Sequence, residues 1–409
     1  MRRGGYARDF SHRLGRVPVL PPKRQGVKRV WVQAVSVGEI QAIEPIIQRL
    51  SEDSSIELII TCTTSTAYTI ARERYADKVL HVGIFPLDFW PCSTLAWRRL
   101  SPDVVVLMET ELWPEHIHQA KKRGVPVVMI NGRLSDRSFG RYLQVRSIAR
   151  WILRQLDLLL VATEHDYKRF RRLGANRHHL FQTGNLKFDV AMPPALTPEA
   201  KQSLLAELGF LNNKSQTPLV LLGSSTWPGE EAMLLEVLRA ARAVGLPVYL
   251  LLVPRHMERR RELERLLEQS EFSCHFRSES VDADGIVDVY VGDTTGELRV
   301  LTQAADLAWV GNSLPPNEGG QTPIEAAALG IPLVYGPAMS NFKRICTSLE
   351  EASAAVRIED AEEAQKVLLE LLKANERRLA LGAEARAWHA NNRGAADRTL
   401  EHLYGLLGG

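Results

Sequence analysis

Several carboxylates in this sequence directly follow apolar runs, at points where a buried strand is expected to give way to a helix. Ser36 and Glu39 have the spacing of a capping box, in which each side chain satisfies a free backbone N–H at a helix start. Glu109 and Glu111 follow another apolar run, where N-terminal helix charges are common. A carboxylate at such a junction could instead serve as a general base. The local sequence leaves both interpretations of Glu39 open. A helix N-terminus would lower its pKa and weaken it as a base, so desolvation on closure would have to oppose that shift.

Basic and small polar residues occupy comparable positions farther along the chain. Lys187 precedes a proline-rich stretch, and Arg255 ends another apolar run, where a fixed guanidinium can clamp a phosphate or a carboxylate. The run GSSTWPGEE, residues 223–231, offers helix caps or free N–H groups suited to a phosphate. Glu325 falls in the first turn of a predicted helix and is well placed for a ribose hydroxyl. Each signal is weak alone, and together they favour one ligand site.

The usual catalytic fingerprints are missing. None of the motifs G-x-G-x-x-G after a strand, G-x-x-x-x-G-K-[ST], H-E-x-x-H or G-x-S-x-G occurs, which disfavours dehydrogenases, P-loop NTPases, zincins and α/β-hydrolases. Four cysteines lie far apart without a C-x-x-C pair, which argues against a zinc site or disulfide framework and fits a reducing compartment. His116, His118, His178 and His179 are interpreted as surface or capping residues. We therefore expect neither a metal nor a cofactor.

The net charge of +3 hides two strongly basic stretches. Residues 1–29 and residues 121–154 each contain nine Lys or Arg and only one Asp. In the second stretch five arginines recur at helical spacing and are predicted to share one helix face: Arg137, Arg141, Arg146, Arg150 and Arg154. A solvated helix face is the simplest interpretation of one such stretch, but two on an otherwise acidic chain favour a membrane surface or a phosphorylated ligand. Nucleic acid is disfavoured, because no binding motif accompanies the charge.

Apolar runs alternate with helical patterns throughout, which is typical of parallel α/β sheets. The predicted strands span 30–35, 57–62, 79–85, 103–108, 125–130 and 158–162, and then 218–225, 247–254, 285–293, 305–311 and 331–336. The predicted domains are residues 1–190 and 205–409, joined by a linker over 191–204. Two Rossmann-like domains would place a ligand cleft between the carboxyl ends of two sheets.

The junction motifs resemble, in order, those of the Kdo transferases, which move 3-deoxy-D-manno-octulosonic acid (Kdo) from CMP-Kdo to a lipid A precursor in lipopolysaccharide synthesis. The matching stretches are SVGE, ETELWP, NGRLSDRS, GNLKFD, STWPGEE, LVPRH, VGDTTGEL and GGQTPIEAAALGIPLVYGP. The resemblance implies a GT-B fold, two Rossmann-like domains whose parallel sheets face a central cleft. It also implies an N-terminal acceptor domain, a C-terminal donor domain and inverting transfer that needs no metal.

The resemblance also assigns roles to individual residues. Glu39 becomes the catalytic base, and Glu109 and Lys187 match positions implicated in stabilising the transition state. The residues that match the CMP-binding segments are Pro254, Arg255, Thr295, Gly296, Glu297, Thr322, Pro323, Ile324 and Glu325. These roles are chemically coherent, because a base must reach the attacking hydroxyl while the departing CMP phosphate needs positive charge.

The family acts at the cytoplasmic face of the inner membrane, so the resemblance implies a peripheral membrane protein held by its basic stretches. Family members usually begin with a hydrophobic anchor, whereas this chain begins with the basic stretch and has no apolar run of about 18 residues. Thr295 stands where the family tends to have Met, and Gln321 and Thr322 replace His and Asn. These three changes fall on the nucleotide side and alter hydrogen-bonding reach.

Two other functions remain open at this point. The substitutions at Thr295, Gln321 and Thr322 would suit a related GT-B transferase with another nucleotide-sugar donor. A non-catalytic paralogue that binds an anionic glycolipid is disfavoured, because a pure binder needs neither a base nor a leaving-group clamp.

Overall fold

The computed structural model describes residues 9–190, 195–211 and 217–408, which form two compact units. Unit 1 comprises Met1–Ala191 and Asn392–Gly409, and unit 2 comprises Met192–Asn391. Each unit is built on a seven-stranded sheet in which the paired strands are parallel. The predicted α/β class with two parallel sheets is confirmed.

The sheet of unit 1 has the order β3-β2-β1-β4-β5-β6-β7. Its strands are β1 (Lys28–Ala34), β2 (Ile56–Cys62), β3 (His81–Ile84), β4 (Val104–Met108), β5 (Val127–Gly132), β6 (Leu158–Val161) and β7 (Leu180–Gln182). The helices between them are α1 (Val37–Ala42), α2 (Glu44–Glu52), α3 (Ser65–Tyr75), α4 (Trp90–Leu100), α5 (Pro114–Lys122), α6 (Asp136–Gln144), α7 (Arg146–Leu153) and α8 (Glu164–Leu173).

The sheet of unit 2 has the order β10-β11-β9-β8-β12-β13-β14. Its strands are β8 (Leu219–Thr226), β9 (Val248–Pro254), β10 (Cys274–Phe276), β11 (Val289–Val291), β12 (Leu307–Val310), β13 (Leu333–Tyr335) and β14 (Val356–Arg357). The later helices are α9 (Pro198–Glu207), α10 (Glu230–Ala243), α11 (Arg260–Glu268), α12 (Leu298–Leu301), α13 (Ile324–Leu329), α14 (Lys343–Glu351), α15 (Ala361–Lys373), α16 (Asn375–Asn392) and α17 (Ala395–Leu407).

Helices cover both faces of the unit 1 sheet, which explains why its central strands are almost continuously apolar. On one face Trp31 and Val105 pack with Trp97 of α4 and Phe170 of α8. On the other face the strands pack against α1, α2 and α3, and α17 adds Leu403 to the same core. Packing on both faces fixes the position of the carboxyl edge of the sheet, and this edge carries the candidate residues.

The last helix, α17, packs into unit 1, although the sequence analysis placed all residues after 205 in the second domain. The Asp189 carboxylate accepts hydrogen bonds from the N–H groups of Gly394 at 2.7 Å and Ala396 at 2.6 Å. These bonds satisfy free donors at the start of α17 and fix it to the end of the first Rossmann-like region. The helix α9 begins within the predicted linker, whose residues 191–194 lie outside the described residues.

The prediction that five arginines share a single helix face is wrong. Val145 has φ −114° and ψ 38°, which interrupts the helix and separates α6 from α7. Arg137 and Arg141 therefore lie on α6, and the other three follow on α7 and at its end. All five side chains are exposed, and none forms an ion pair within the described part of the chain.

Candidate functional site

Three loops with candidate residues leave the same edge of the unit 1 sheet. Glu39 follows β1, Glu109 follows β4, and Lys187 lies in a short 3-10 helix after β7. Because these strands are parallel, their carboxyl ends share one edge. The Asn131 side chain accepts a hydrogen bond from the Leu186 N–H at 3.1 Å, which holds the Lys187 segment beside the end of β5.

The Glu39 carboxylate turns back toward the start of α1. Its two oxygens accept hydrogen bonds from the Val35 N–H at 2.8 Å and from the Ser36 hydroxyl at 2.9 Å. The Glu39 N–H donates to Ser36 Oγ at 3.4 Å, so the predicted capping pair is present. Glu39 is only 7% exposed, and burial raises its pKa above the ordinary value. Burial therefore opposes the lowering expected at a helix start, and it outweighs the hydrogen bonds from Val35 and Ser36.

Glu109 is the acidic residue that approaches both basic side chains of the site. Its backbone has φ 53°, an uncommon left-handed conformation that persists only where surrounding contacts enforce it. Glu109 Oε1 lies 3.4 Å from Arg133 Nη1 and 4.0 Å from Lys187 Nζ. The Thr110 hydroxyl donates to the Arg133 carbonyl at 2.9 Å, which fixes the loop after β5 against the loop after β4. The structure therefore brings all three predicted catalytic residues into one cluster within unit 1.

Two further groups in this cluster have perturbed ionisation. Burial raises the pKa of Glu111 to about 7, and the charges of Glu39 and Glu109 raise it further. Burial lowers the pKa of Lys187, as does the nearby Arg133. A buried carboxylate with high proton affinity beside retained cations can accept a proton from a hydroxyl and stabilise charge that develops nearby.

The candidate donor residues of unit 2 also follow the carboxyl ends of strands. Arg255 lies directly after β9, and its exposed guanidinium forms no ion pair within the residues that the structure describes. The Thr295 hydroxyl donates to Met257 Sδ at 3.2 Å and so joins the loop after β11 to the segment after β9. Arg299 Nε lies 2.9 Å from Glu325 Oε1 and joins α12 to α13. These contacts bring the three predicted donor segments together within unit 2.

Glu297 and Ile324 are already engaged in the fold. The Arg277 guanidinium donates to both Glu297 oxygens, at 2.7 and 2.8 Å, and to Glu207 at 2.6 Å. The Arg277 hydrogen bonds hold the pKa of Glu297 below its ordinary value. Ile324 is buried, and its N–H donates to Thr322 Oγ1 at 3.3 Å. We infer that Glu297 and Ile324 shape the donor loops, whereas Thr322 presents a polar side chain beside them.

Three predicted donor-site residues, Pro254, Gly296 and Pro323, have no polar side chain. Pro254, the last residue of β9, and Pro323, the residue before α13, are both buried. Gly296 is exposed with φ 90°, a conformation that L side chains rarely adopt. An added Cβ at Gly296 would meet nothing within 4 Å, so the requirement for glycine is conformational rather than steric.

Glu230 organises the loop that precedes α13, a role that the sequence analysis did not identify. Its carboxylate is 1% exposed and accepts hydrogen bonds from the N–H groups of Asn312, Ser313 and Trp227, each at 2.9 Å. This one side chain therefore ties the STWPGEE segment to the loop after β12. The STWPGEE motif was the available signal, but its partner Asn312 lies 82 residues away in the sequence.

The sequence analysis also missed Arg133 and did not assign a role to Glu111. Both lie in quoted motifs, NGRLSDRS and ETELWP, but only the tertiary structure shows which carboxylates they approach. His116 is buried rather than a surface or capping residue. Its Nδ1 accepts a hydrogen bond from Trp97 Nε1 at 3.2 Å, and its Nε2 lies 3.3 Å from the Pro86 carbonyl.

Exposed apolar side chains accompany the arginines of α6 and α7. Ile148 is 59% exposed and Trp151 is 57% exposed, one helical turn apart on α7. A second exposed apolar group includes Leu87, Phe89 and Trp90, just beyond the carboxyl end of β3. Among the described residues, none of the helices combines the length and apolar character needed to cross a membrane.

Comparisons with known proteins agree on one family. Residues 8–190 match the sequence profile of the family described as 3-deoxy-D-manno-octulosonic-acid transferase (kdotransferase). A 3-deoxy-D-manno-octulosonic acid transferase of Bordetella pertussis is 35% identical over 416 residues, covering 100% of this chain and 94% of the relative. The corresponding transferase of Haemophilus influenzae is 32% identical and covers 93% of this chain and 87% of the relative.

The fold of the chain is also found in more distant proteins. UDP-GlcNAc 2-epimerase from Neisseria meningitidis, solved with UDP-GlcNAc bound, matches 92% of this chain and 100% of its own, with a TM-score of 0.61 and 13% identity. At this identity the likeness concerns the fold alone, and it agrees with the predicted plan of two Rossmann-like units with parallel sheets, as in GT-B proteins. The identity to the Bordetella and Haemophilus proteins extends over nearly the whole chain, so this protein belongs to the Kdo transferase family of glycosyltransferases.

Proposed function

We propose that this protein transfers Kdo from CMP-Kdo to a lipid A precursor, with inversion at the anomeric carbon and without a metal or cofactor. The observation that carries the proposal is the environment of the Glu39 carboxylate. It is buried and accepts two hydrogen bonds, and its pKa is raised by burial and by the charge of nearby Glu109. Glu363, an exposed glutamate that accepts a comparable N–H bond at the start of α15, lacks this burial. Family membership supports the reaction class, and the geometry supports the roles that we propose for the residues.

Glu39 is the proposed general base. As the acceptor hydroxyl attacks the anomeric carbon of Kdo, its proton moves to a Glu39 oxygen, and the bond from that carbon to the CMP phosphate breaks. A base is most useful when its pKa lies near the working pH, and burial moves the pKa of Glu39 in that direction. The hydrogen bonds from Val35 and Ser36 prevent the carboxylate from rotating away.

Glu109, Arg133 and Lys187 form the proposed electrostatic part of the reaction site. A glycosyl transition state carries positive charge on the sugar ring, which a carboxylate such as Glu109 would stabilise. Lys187 and Arg133 supply positive charge for the anionic groups of the donor. The left-handed backbone of Glu109 supports this role, since strained residues are retained where their position is needed.

Arg255, Thr295, Thr322 and Glu325 are the proposed contacts of the CMP group. The Arg255 guanidinium, which has no ion-pair partner among the described residues, suits the phosphate, since it can donate two parallel hydrogen bonds to it. Glu325 lies beside Arg299 in the first turn of α13 and would accept a hydrogen bond from a ribose hydroxyl. Glu297 would act indirectly, because Arg277 occupies both of its oxygens.

Calorimetric titration with CMP, UDP and GDP tests the donor directly. We expect CMP to bind and the other two nucleotides to bind weakly, with CMP affinity lost in Arg255→Ala and Glu325→Ala. Arg261→Ala is a matched control, since Arg261 is exposed on α11 and forms no ion pair within the described ranges. Preferential binding of UDP or GDP would instead favour the alternative donor that Gln321 and Thr322 suggest.

The membrane surface is the proposed partner of unit 1, at the cytoplasmic face of the inner membrane. Support comes from the exposed Ile148 and Trp151 of α7, flanked by arginines without ion pairs in the described chain. An amphipathic helix with this composition lies in the interface of an anionic bilayer. Sedimentation with phosphatidylglycerol vesicles should weaken in the double variant Ile148→Ser/Trp151→Ser. Leu379→Ser is the control, because Leu379 is 66% exposed on α16 of unit 2; equal binding by both variants would argue against this surface.

A further inference from the structure

Ser225 is an extra residue in β8, the central strand of the unit 2 sheet. The pairing of β8 with β9 passes from Ser224 opposite Val253 to Thr226 opposite Pro254, so Ser225 is bulged out of the ladder. Its backbone has φ 54°, in the left-handed region that serine rarely adopts. Bulges re-aim a side chain and are over-represented next to active sites. The bulge therefore points to a function for the side chain that it carries.

The neighbouring strand end accommodates this bulge. Gly311 directly follows β12, and its N–H donates to the Ser224 carbonyl at 2.8 Å. A Cβ added to Gly311 would lie 2.3 Å from the Ser225 carbonyl oxygen and 2.8 Å from Thr226 Cα, so a side chain there would displace the bulge. Residues on two adjacent strands thus enforce one strained conformation, which is typical of functional sites.

The bulge lies at the topological switch point of the unit 2 sheet. The chain passes from β8 to β9 on one side, whereas β12 pairs with β8 on the other side. Open α/β sheets bind ligands outside the carboxyl ends of their strands at such a point. The Arg255 N–H donates to the Thr226 carbonyl at 3.1 Å, and the Gln321 N–H donates to the Gly311 carbonyl, also at 3.1 Å. Ser225 therefore lies between two of the segments that are proposed to bind CMP.

The Ser225 hydroxyl has no hydrogen-bond partner among the residues that the structure describes. The residue is only 7% exposed, yet its oxygen is not sealed from solvent, unlike Thr226 Oγ1, which is fully buried. A nearly buried hydroxyl loses most of its contact with water, and a ligand that accepts its hydrogen bond would compensate for this loss. Glycine would adopt the same backbone conformation without steric cost, so the conformation alone does not account for a serine.

We propose that Ser225 is a donor-binding residue whose hydroxyl donates a hydrogen bond to the phosphate of the nucleotide-sugar donor. This inference rests on the proposed function, because it concerns the same donor. Hydrogen bonds to an ionised phosphate are strong, and the exposed Arg255 guanidinium follows the adjacent strand β9. When the bond between the anomeric carbon and the phosphate oxygen breaks, the electron pair stays on the phosphate. The hydrogen bond from Ser225 then stabilises the added negative charge.

Binding of CMP and of cytidine to the wild type and to Ser225→Gly tests this contact, because the two ligands differ by the phosphate. Ligand-observed NMR measures both dissociation constants, including that of a weakly bound nucleoside. The dissociation constant of CMP should rise about 10–100-fold in Ser225→Gly, as expected for loss of a charge-assisted hydrogen bond, while that of cytidine stays at the wild-type value. An unchanged CMP affinity, or equal weakening of CMP and cytidine, would overturn the proposal.

Thermal unfolding separates the hydroxyl from the backbone conformation. Ser225→Gly relieves the left-handed strain and Ser225→Ala does not, so Ser225→Ala should have the lower Tm although both variants weaken CMP binding alike. Ser353→Gly is the matched control, since Ser353 has φ 53° and is exposed just after α14, and it should keep the wild-type CMP affinity. Loss of CMP affinity in Ser225→Ala but not in Ser225→Gly would assign the effect to the backbone and overturn the role of the hydroxyl.

The same comparison distinguishes this inference from the proposed function. If the wild type binds UMP or GMP in place of CMP, the donor is not CMP-Kdo and the proposed function fails. Ser225→Gly should then weaken binding of that nucleotide and leave binding of its nucleoside unchanged. A wild type that binds none of the three nucleotides would contradict both proposals.

Discussion

Replacement of Glu39 by Gln and by Ala separates catalysis from helix capping, the two roles that the sequence leaves open. Gln is nearly the same size and its amide oxygen can accept one of the two hydrogen bonds, from the Val35 N–H or the Ser36 hydroxyl, but it does not take up a proton. Ala removes both functions. The two variants should therefore agree in activity and differ in stability.

The expected magnitudes follow from the contacts. Loss of a general base lowers the rate about 10²–10⁴-fold, equivalent to roughly 3–5 kcal/mol in the barrier. Glu39→Ala leaves the half-buried Val35 N–H without its acceptor, which costs about 1–3 kcal/mol of folding free energy. Glu39→Gln should retain most of that stability while losing the same activity.

The chain contains a matched control for a glutamate that only caps a helix. Glu363 accepts a hydrogen bond from the Glu359 N–H at 2.7 Å, four residues earlier, as Glu39 does from Val35. It lies at the start of α15 in unit 2 and is exposed. Glu363→Ala should lose about 1 kcal/mol of stability or less and retain full activity.

The assay measures CMP release from CMP-Kdo with a lipid A precursor, beside urea unfolding of each variant. Glu39→Gln and Glu39→Ala should both fall to the background rate while only the second loses substantial stability. A Glu39→Gln protein with nearly wild-type turnover would refute the role of Glu39 as the base and leave it as a cap.

Three further predictions concern buried or hydrogen-bonded side chains that stabilise the two units. Glu230→Ala should destabilise unit 2 by about 3 kcal/mol or more and weaken CMP binding in calorimetry, because the buried N–H groups of Asn312 and Ser313 and the half-buried N–H of Trp227 lose their acceptor. A normal CMP affinity in that variant would contradict its role. Arg277→Ala should cost about 1.5–3 kcal/mol in urea unfolding and raise the CMP dissociation constant, since Glu297 loses both charged hydrogen bonds; unchanged unfolding and affinity would refute this. Burial lowers the pKa of His116 to about 4 from 6.5, so the folded state keeps it neutral and the unfolded state takes up the proton first. Stability should therefore fall by roughly 3 kcal/mol as the pH drops from 6.5 to 4, and urea unfolding of His116→Gln should show a smaller fall; an equal fall in both proteins would count against it.

The strands of both sheets were largely predictable, because buried parallel strands are continuous apolar runs. Every predicted strand is present, and the three that were missed, β7, β10 and β14, are short. Each of these strands lies at the edge of its sheet and pairs with only one neighbouring strand. Few of its side chains therefore need to be apolar. The break between α6 and α7 at Val145 escaped prediction because neither Gly nor Pro marks it.

The site was predictable in its residue types but not in its electrostatics. The spacing of Ser36 and Glu39 predicts the capping pair that the structure contains. The direction of the Glu39 pKa depends instead on burial and on Glu109, which lies 70 residues away in the sequence. The electrostatic environment of Arg133 and Glu111 likewise depends on the tertiary structure, which brings both residues close to Glu109.

The most direct test of the account is the reaction itself. Purified protein is incubated with CMP-Kdo and a lipid A precursor in the presence of EDTA, and the lipid product and CMP are quantified. We predict equal amounts of released CMP and Kdo-modified lipid, with the linkage inverted relative to the donor. Binding of CMP without any Kdo-modified lipid, or transfer that stops when metals are removed, would contradict the proposed function.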